Sequence, residues 1–368
     1  MAVHPSPSPN SQPNLPPLRI AVLHGGPSSE HDISVWSSRG VVATLRAQGH
    51  DVAPVFVDRA GLWHIGSDGD AGQPVTSPLP LLAAVERLRA LAIDVAFMGF
   101  HGTYGEDGRV QAVLELSGLR YTGSGVAASA VAMDKTLARR VFAGVGLPIA
   151  AAREVPASEV LTASAAAQVA AELVRDLGLP VVVKIPAGGS SVGVEIPRDE
   201  AAVAASLLRL APDVTHLLCE QYVAGVELTA GVLEYPDGTL ESLPLVEIVP
   251  VSAAFFDFAA KYQPGATAEI VPARISDAAT AEIRDLGLRA HKALGCRGVS
   301  RTDVILRHDG RPFLLETNTL PGLTPESLLP KAAAAVGYSY GVLLQRILAA
   351  ALSSGVRASI EINRQEPV

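Results

Sequence analysis

Two strand-like runs near the C-terminus, Val299–Leu306 and Arg311–Asn318, are separated by Asp309-Gly310. That dipeptide favours the tight turns that join antiparallel strands. A two-residue turn there fixes the pairing, so that position 303 faces 316 and 301 faces 318. Asp303 then lies opposite Glu316, and period-two alternation brings Arg301 and Asn318 to the same face. Two carboxylates facing one another across strands repel and weaken a sheet. A cation between them removes that penalty. The face offers Asp303, Glu316 and Asn318 as oxygen ligands and Arg301 as a fixed positive charge. Mg2+ favours a few carboxylates completed by phosphate oxygens and water, so a magnesium–nucleotide site is expected. A solvated polar face on an edge hairpin is the competing explanation. Val304, Leu306, Phe313 and Leu315 are expected on the opposite, buried face.

Upstream, short apolar runs alternate with helical stretches. Strands are expected at Leu18–Leu23, Val52–Val57 and Val95–Phe100, with helices near 34–48 and at Leu81–Leu91. Strand, helix, strand in this order implies a parallel α/β layer with right-handed crossovers. One helix is expected over Ser129–Val145, stopped by Gly146 and Pro148, and an alanine-rich helical stretch over 150–175 with a break near Pro156. Strands follow at Pro180–Lys184, Val192–Ile196 and His216–Val223, then a long functional loop over 244–274 and a helix over Ala281–Leu294 closed by Gly295.

Composition bounds the function. With 368 residues, 48% apolar and 18% charged, the chain can bury a sizeable core and is not intrinsically disordered. A net charge of −8 gives no basic footprint for nucleic acid. Cys219 and Cys296 fit neither a zinc cluster nor a disulfide framework, which suits a reducing, cytoplasmic location. The apolar stretch Leu343–Leu352 is interrupted by Gln345 and Arg346 and is too short to span a membrane. Residues 1–17, with six prolines and no signal-peptide pattern, are expected to form a disordered tail.

A second constellation sits between two strands. Lys184-Ile185-Pro186-Ala187-Gly188-Gly189-Ser190-Ser191-Val192-Gly193 lets backbone N–H groups and hydroxyls approach phosphate oxygens, with Lys184 as a point charge. The Walker pattern is absent, and the loop alone equally suits an ordinary connection. Glu220-Gln221-Tyr222-Val223 could offer a carboxylate and backbone groups to an adenine, and Glu227 could accept from a ribose hydroxyl. Lys135, within the expected helix, suits phosphate, although a surface lysine is the plainer reading when it stands alone.

Taken together, the chain resembles the D-alanine–D-alanine ligases of the ATP-grasp superfamily, from about Arg19 to Leu352. The matching stretches are Leu23-His24-Gly25-Gly26 with Ser29-Glu30 and Ile33-Ser34, His101-Gly102 with Gly105-Glu106-Asp107-Gly108, and Tyr121-Thr122-Gly123-Ser124-Gly125 with Met133-Asp134-Lys135. They continue with Gly189-Ser190-Ser191-Val192-Gly193, Lys261-Tyr262, Arg301-Thr302-Asp303, and Glu316-Thr317-Asn318 with Pro321-Gly322. The resemblance implies an ATP-grasp fold of three α/β domains around one cleft. These are placed at 18–122, 123–221 and 222–356, between the tail 1–17 and a last tail 357–368.

The resemblance also assigns roles. Asp303, Glu316 and Asn318 are implied as ligands of Mg2+ or Mn2+, two ions in all, and Lys135, Lys184 and Lys261 as phosphate-facing lysines. Ser191 joins the nucleotide contacts, Glu220, Val223 and Glu227 meet adenine and ribose, and Phe255 covers the base. Glu30 is implied to hold the ammonium of a first D-alanine, in a network with Ser190 and Tyr262. Arg301 is implied to stabilise an oxyanion beside the Gly322 backbone, while Ser327 and Leu328 meet the second substrate. His101 lies near the site by family position, but a satisfied structural histidine explains it as well. The implied activity is ATP-dependent ligation of two D-alanines through an acyl phosphate, in a homodimer with no nucleic-acid or membrane partner.

Two departures stand out: Gly188, where some relatives carry glutamate, and Ser300 and Thr302 around Arg301, where many have Gly and Ile or Val. Rival readings are a ligase of the same fold with D-lactate, D-serine or another acceptor, a nucleotide-dependent dehydrogenase, and an ATP-binding regulator without chemistry. Tyr262 favours an amino-acid acceptor, because depsipeptide ligases commonly have histidine in that loop. The dehydrogenase lacks a G-x-G-x-x-G after the first strand, and the regulator would be expected to have lost Arg301 or a metal ligand.

Overall fold

A computed structural model describes residues 13–66, 77–188, 193–250 and 267–353. The N-terminal layer contains β1 (Arg19–Gly25), α1 (His31–Ala47), β2 (Asp51–Val57), β3 (Trp63–Ile65), α2 (Leu81–Ala90), β4 (Val95–Met98) and α3 (Arg109–Leu116). Its sheet runs β3-β2-β1-β4, with β1 parallel to both β2 and β4. Both faces of β1 are covered, which is why it reads as one apolar run. Of residues 1–17, the described part carries Leu15, whose side chain packs half-buried against the core.

The helix expected over Ser129–Val145 is two helices, α4 (Val126–Met133) and α5 (Lys135–Gly144). Asp134 between them is extended, with φ −89° and ψ 104°. Its carboxylate accepts the Thr136 and Leu137 N–H groups at 2.9 and 3.1 Å. The Lys135 N–H donates to the Pro186 carbonyl at 2.9 Å. An aspartate that can cap a new helix outweighs continuation of the old one.

The middle layer corrects the alanine-rich reading. Residues 152–156 form a strand, β5 (Ala152–Pro156), followed by α6 (Ala163–Leu177), β6 (Val181–Lys184), β7 (Val194–Glu195), α7 (Glu200–Leu210) and β8 (His216–Gln221). The sheet order is β5-β8-β6-β7. β5 pairs with β8, whose backbone needs partners on both sides, and the five residues of β5 hold a single alanine, so the alanine-rich helix begins only after Thr162. Pro156 is tolerated because β5 is an edge strand.

The C-terminal sheet contains β9 (Gly225–Glu234), β10 (Leu240–Ser242), β11 (Val246–Pro250) and β12 (Thr267–Ile270). After α8 (Asp277–Leu294) come β13 (Val299–Arg307) and β14 (Pro312–Asn318), then α9 (Leu328–Ala334) and α10 (Tyr340–Ser353). Its path is β12-β11-β9-β13-β14, with β10 on β9. β11 and β12 fall inside the stretch expected to be one long loop. α4 and α5 share a core cluster, through Ala132, Ala138 and Phe142, with Leu228, Ala230 and Val304 of this sheet and Ile283 of α8. α10 bridges the layers, packing Leu344 and Ile347 into the cluster that holds Ile20 and Val22 of β1.

The hairpin turn is not the expected two-residue one. The Arg307 N–H donates to the Arg311 carbonyl and the Gly310 N–H to the Arg307 carbonyl, both at 2.9 Å. Three residues therefore form the loop, with Gly310 at φ +86°. Val304 pairs with Leu314 and Ile305 with Phe313, one step off the expected register. A β-bulge at Leu315 then restores it, so Asp303 pairs with Glu316 and Arg301 with Asn318. Phe313, expected on the buried face, therefore pairs with Ile305 on the side of Arg301 and Asp303.

Replacing Asp134 with alanine removes the cap between α4 and α5. The expected loss is about 1 kcal/mol, while Asp134→Asn keeps most of the stability. Thermal unfolding of the two variants beside wild type checks this.

Candidate active site

The hairpin carboxylates are each held by a cation. Arg301 donates to both oxygens of Asp303, from Nε at 2.8 Å and Nη2 at 2.9 Å. Lys135, at the first position of α5, places Nζ 3.0 Å from Glu316 Oε2 and 3.0 Å from the Gly188 carbonyl. Burial alone would depress the Lys135 ammonium, but Glu316 first, then Glu220 and Glu30, hold its pKa above the ordinary value. Asn318 Oδ1 accepts the Leu320 N–H at 2.9 Å. β9 places Thr229 opposite Asp303, and its buried hydroxyl has no hydrogen-bond partner among the described residues. Among those residues no three His, Cys, Asp or Glu side chains gather into a metal cage. Two carboxylates, an amide oxygen and a spare hydroxyl nevertheless fit a hard cation that keeps water and phosphate in its shell.

Behind the glycine-rich segment lies a second ion cluster. Lys184 ends β6, and Glu220 stands on the neighbouring strand β8. Lys184 Nζ is 2.5 Å from Glu220 Oε2, and Arg139 Nη1 is 2.6 Å from Glu220 Oε1. Arg139 also donates to the Ala150 carbonyl. The carboxylate that the sequence offered to an adenine thus has both oxygens engaged by cations, as burial demands. Arg139 carried no sequence signal, being one of two adjacent arginines in a helix. Val223 is buried just after β8. Glu227 lies half-buried on β9, paired with Ile305 of β13.

On the N-terminal side, Glu30 immediately precedes α1 and is 7% exposed. The loop after β4 passes across it. Gly102 has φ +73°, and a Cβ there would lie 2.6 Å from Glu30 Oε2 and 2.5 Å from Ser28 Oγ. Only glycine fits so close a pass. His101 is buried, with Nε2 3.1 Å from Ser37 Oγ. Burial lowers its pKa, which Glu30 opposes and Arg301 reinforces, so a neutral imidazole faces the site. His101 is hydrogen-bonded in the core and lies within electrostatic reach of Glu30 and Arg301.

Glu106 is the group that motif reading left without a role. Its Oε2 accepts the Gly102 N–H at 2.5 Å, and its Oε1 accepts the Leu320 N–H at 3.2 Å. It therefore ties the loop after β4 to the loop after β14, two residues beyond Asn318. Burial, and then the neighbouring Glu30 charge, push its pKa well above the ordinary carboxylate value. Beyond that loop, Ser327 Oγ accepts the Thr324 N–H at 3.1 Å. A Cβ on Gly322 would lie 2.9 Å from that same oxygen. The Leu328 side chain is buried in the core cluster that also holds residues of α10. Ser190, Ser191, Phe255, Lys261 and Tyr262 lie outside the described residues.

Family models match both halves of the chain: the D-ala D-ala ligase N-terminus over residues 19–124 and the D-ala D-ala ligase C-terminus over residues 141–349. The chain belongs to the D-alanine–D-alanine ligase family. It is 41% identical over 333 residues to the D-alanine–D-alanine ligase of Anaeromyxobacter sp. (strain Fw109-5), covering 90% of this chain and 96% of that one. Among solved structures, the D-alanine–D-alanine ligase of Bacillus anthracis complexed with ATP superposes with a TM-score of 0.71. It is 28% identical and covers 91% of this chain and 97% of its own. The VanG D-Ala:D-Ser ligase of Enterococcus faecalis gives a TM-score of 0.76 at 26% identity, covering 91% and 100%. The mixed α/β layers are thus those of an ATP-grasp ligase.

Glu106 yields a pH-dependent prediction for this member of the family. A carboxyl whose pKa is raised in the folded state lends its stability at low pH and loses it as pH rises toward that folded value. Glu106→Ala leaves two buried N–H groups unpaired and destabilises by about 1–3 kcal/mol for each group left unmatched. The gap between wild type and variant narrows as pH rises above the ordinary carboxylate range, about 4.3. Denaturant unfolding at acidic, neutral and alkaline pH measures it.

Proposed function

We propose that the protein joins two D-alanines into D-alanyl-D-alanine, a peptidoglycan precursor, driven by conversion of ATP to ADP and phosphate. The facing Asp303–Glu316 pair, with Arg301 and Lys135 at hand in a chain of this family, carries the reading. In this reading Glu30 holds the first ammonium, in a network with Ser190 and Tyr262. The carboxylate of that D-alanine attacks the γ-phosphorus, the bond to the β-phosphate oxygen breaks, and ADP leaves. Lys135, Lys184 and Lys261 face the phosphates, with Ser191 beside them. Val223, Glu227 and Phe255 contact the nucleoside, near Glu220.

The amine of the second D-alanine, having lost its proton, then attacks the acyl carbon of the acyl phosphate. Arg301 and the Gly322 backbone stabilise the oxyanion, Ser327 and the Leu328 backbone meet the incoming carboxylate, and phosphate leaves. Asp303, Glu316 and Asn318 would hold Mg2+ or Mn2+, which supplies charge neutralisation for the transferring phosphoryl group. To take up that role, Arg301 exchanges its hold on Asp303 for the oxyanion, and Lys135 exchanges Glu316 for phosphate. The neutral imidazole of His101 orients its neighbours without adding charge beside Glu30. The acyl phosphate hydrolyses in open water, so the site must close over it. We further propose a cytoplasmic homodimer with no membrane-inserted or nucleic-acid partner. Among the described residues no helix is long and apolar enough to cross a membrane.

The deciding experiment measures ADP release from Mg-ATP with D-alanine, L-alanine, D-serine and D-lactate offered singly and in pairs. Turnover with D-alanine alone, giving a dipeptide by mass, is expected. Turnover only with an added D-serine or D-lactate moves the acceptor, and no turnover with any D-amino acid ends the reading. Glu316→Gln is expected to lower turnover at least a hundredfold and to weaken Mn2+ binding, read by electron paramagnetic resonance, in a folded protein.

A further inference from the structure

The Lys184–Glu220–Arg139 cluster is unbalanced. Two cations share one carboxylate, and the three side chains are only 7%, 6% and 9% exposed. Buried charge is costly unless compensated. Lys135, which also feels Glu220, is paired with Glu316 and adds no negative charge. Among the described residues one positive charge is left over at the root of the segment joining β6 to β7. Arg139 is not free to move toward a ligand, since its guanidinium is fixed between Glu220 Oε1 and the Ala150 carbonyl. Among the described residues Lys184 pairs with Glu220 Oε2, and it stands at the end of its strand. The surplus therefore resides in Lys184, and the ligand class that answers a buried ammonium is a phosphate.

We infer that Arg139 is a positioning residue of the nucleotide site: by occupying one oxygen of Glu220, it leaves Lys184 available to a phosphate of the bound nucleotide. The inference rests on the nucleotide reading above and deepens it. Without Arg139, Glu220 answers Lys184 alone, the pair becomes electrically closed, and an incoming phosphate has to compete with a full carboxylate. With Arg139, the carboxylate is shared, and Lys184 can turn from Glu220 to phosphate while Glu220 keeps a partner.

Arg139→Gln keeps a hydrogen-bond donor toward Glu220 and removes the charge. Its dissociation constants for ADP and ATP, from calorimetry, are expected to rise about tenfold. KM for ATP should rise in step, with kcat within about threefold and KM for D-alanine unchanged. Arg139→Lys is expected to restore nucleotide binding to within about threefold of wild type. In the Lys184→Met background, Arg139→Gln should add less than a twofold effect, because its action runs through Lys184. Wild-type nucleotide affinity in Arg139→Gln overturns the inference, since a hydrogen-bonding role alone survives that change. So do losses that multiply in the double variant, or a folded Arg139→Lys that binds no better than Arg139→Gln. Wild-type protein that binds neither ADP nor ATP overturns the nucleotide reading and this inference with it. Normal wild-type binding with an indifferent Arg139→Gln overturns this inference alone.

Discussion

Two carboxylates set face to face on adjacent strands repel, and much of the molecule is arranged to absorb that repulsion. Arg301 lies on the same strand face and grips Asp303 with two hydrogen bonds. The cation for Glu316 comes from elsewhere in the fold. Lys135 reaches it from the first turn of a helix whose start is fixed by the Asp134 cap and by the hydrogen bond from the Lys135 N–H to Pro186. Neutralising the hairpin thus couples it to the segment between β6 and β7, through Gly188 as well. Just past the hairpin, Glu106 ties Leu320 to the loop that crosses Glu30. These pairs are partly buried, so water and salt screen them less than an exposed ion pair, while the desolvation of each charge offsets part of that gain.

This economy of charge has a chemical consequence. In the proposed function, the cations that quiet the carboxylates are the ones that acyl transfer would draw on, Lys135 near phosphate and Arg301 near an oxyanion. A site that is internally paired before loading has little net field and few stranded charges. In that proposal, exchange of partners on loading would deliver each cation where charge develops, in surroundings of low dielectric where it counts most. The Lys184 cluster differs in keeping a surplus cation, which gives the polyanion its initial foothold.

The facing pair was legible in the sequence, but the path to it was not. Asp309-Gly310 announced a hairpin, and a tight turn at that point gave Asp303 opposite Glu316. The real loop is one residue longer, and Leu315 bulges to give the residue back. Two local deviations of opposite sense cancel, and the two carboxylates, each held by its own cation, end on one face. Tertiary pairing likewise made an edge strand of residues 152–156, and strands of residues 246–250 and 267–270. Neither change is written in local propensity.

What the sequence determined by itself was chemistry in short range: the donor set Asp303, Glu316 and Asn318 with Arg301, the phosphate-suited Lys135 and Lys184, and the apolar runs of a layered α/β fold. Side-chain period and turn residues act over a few positions, so one chain segment suffices to read them. Only the tertiary structure decided that Arg139 shares Glu220 with Lys184, that Glu106 joins two distant loops, and that the Leu328 side chain belongs to the core. Those outcomes depend on burial. A carboxyl or guanidinium far from its partner in sequence meets that partner only in the folded chain, and removing water from around both strengthens their attraction.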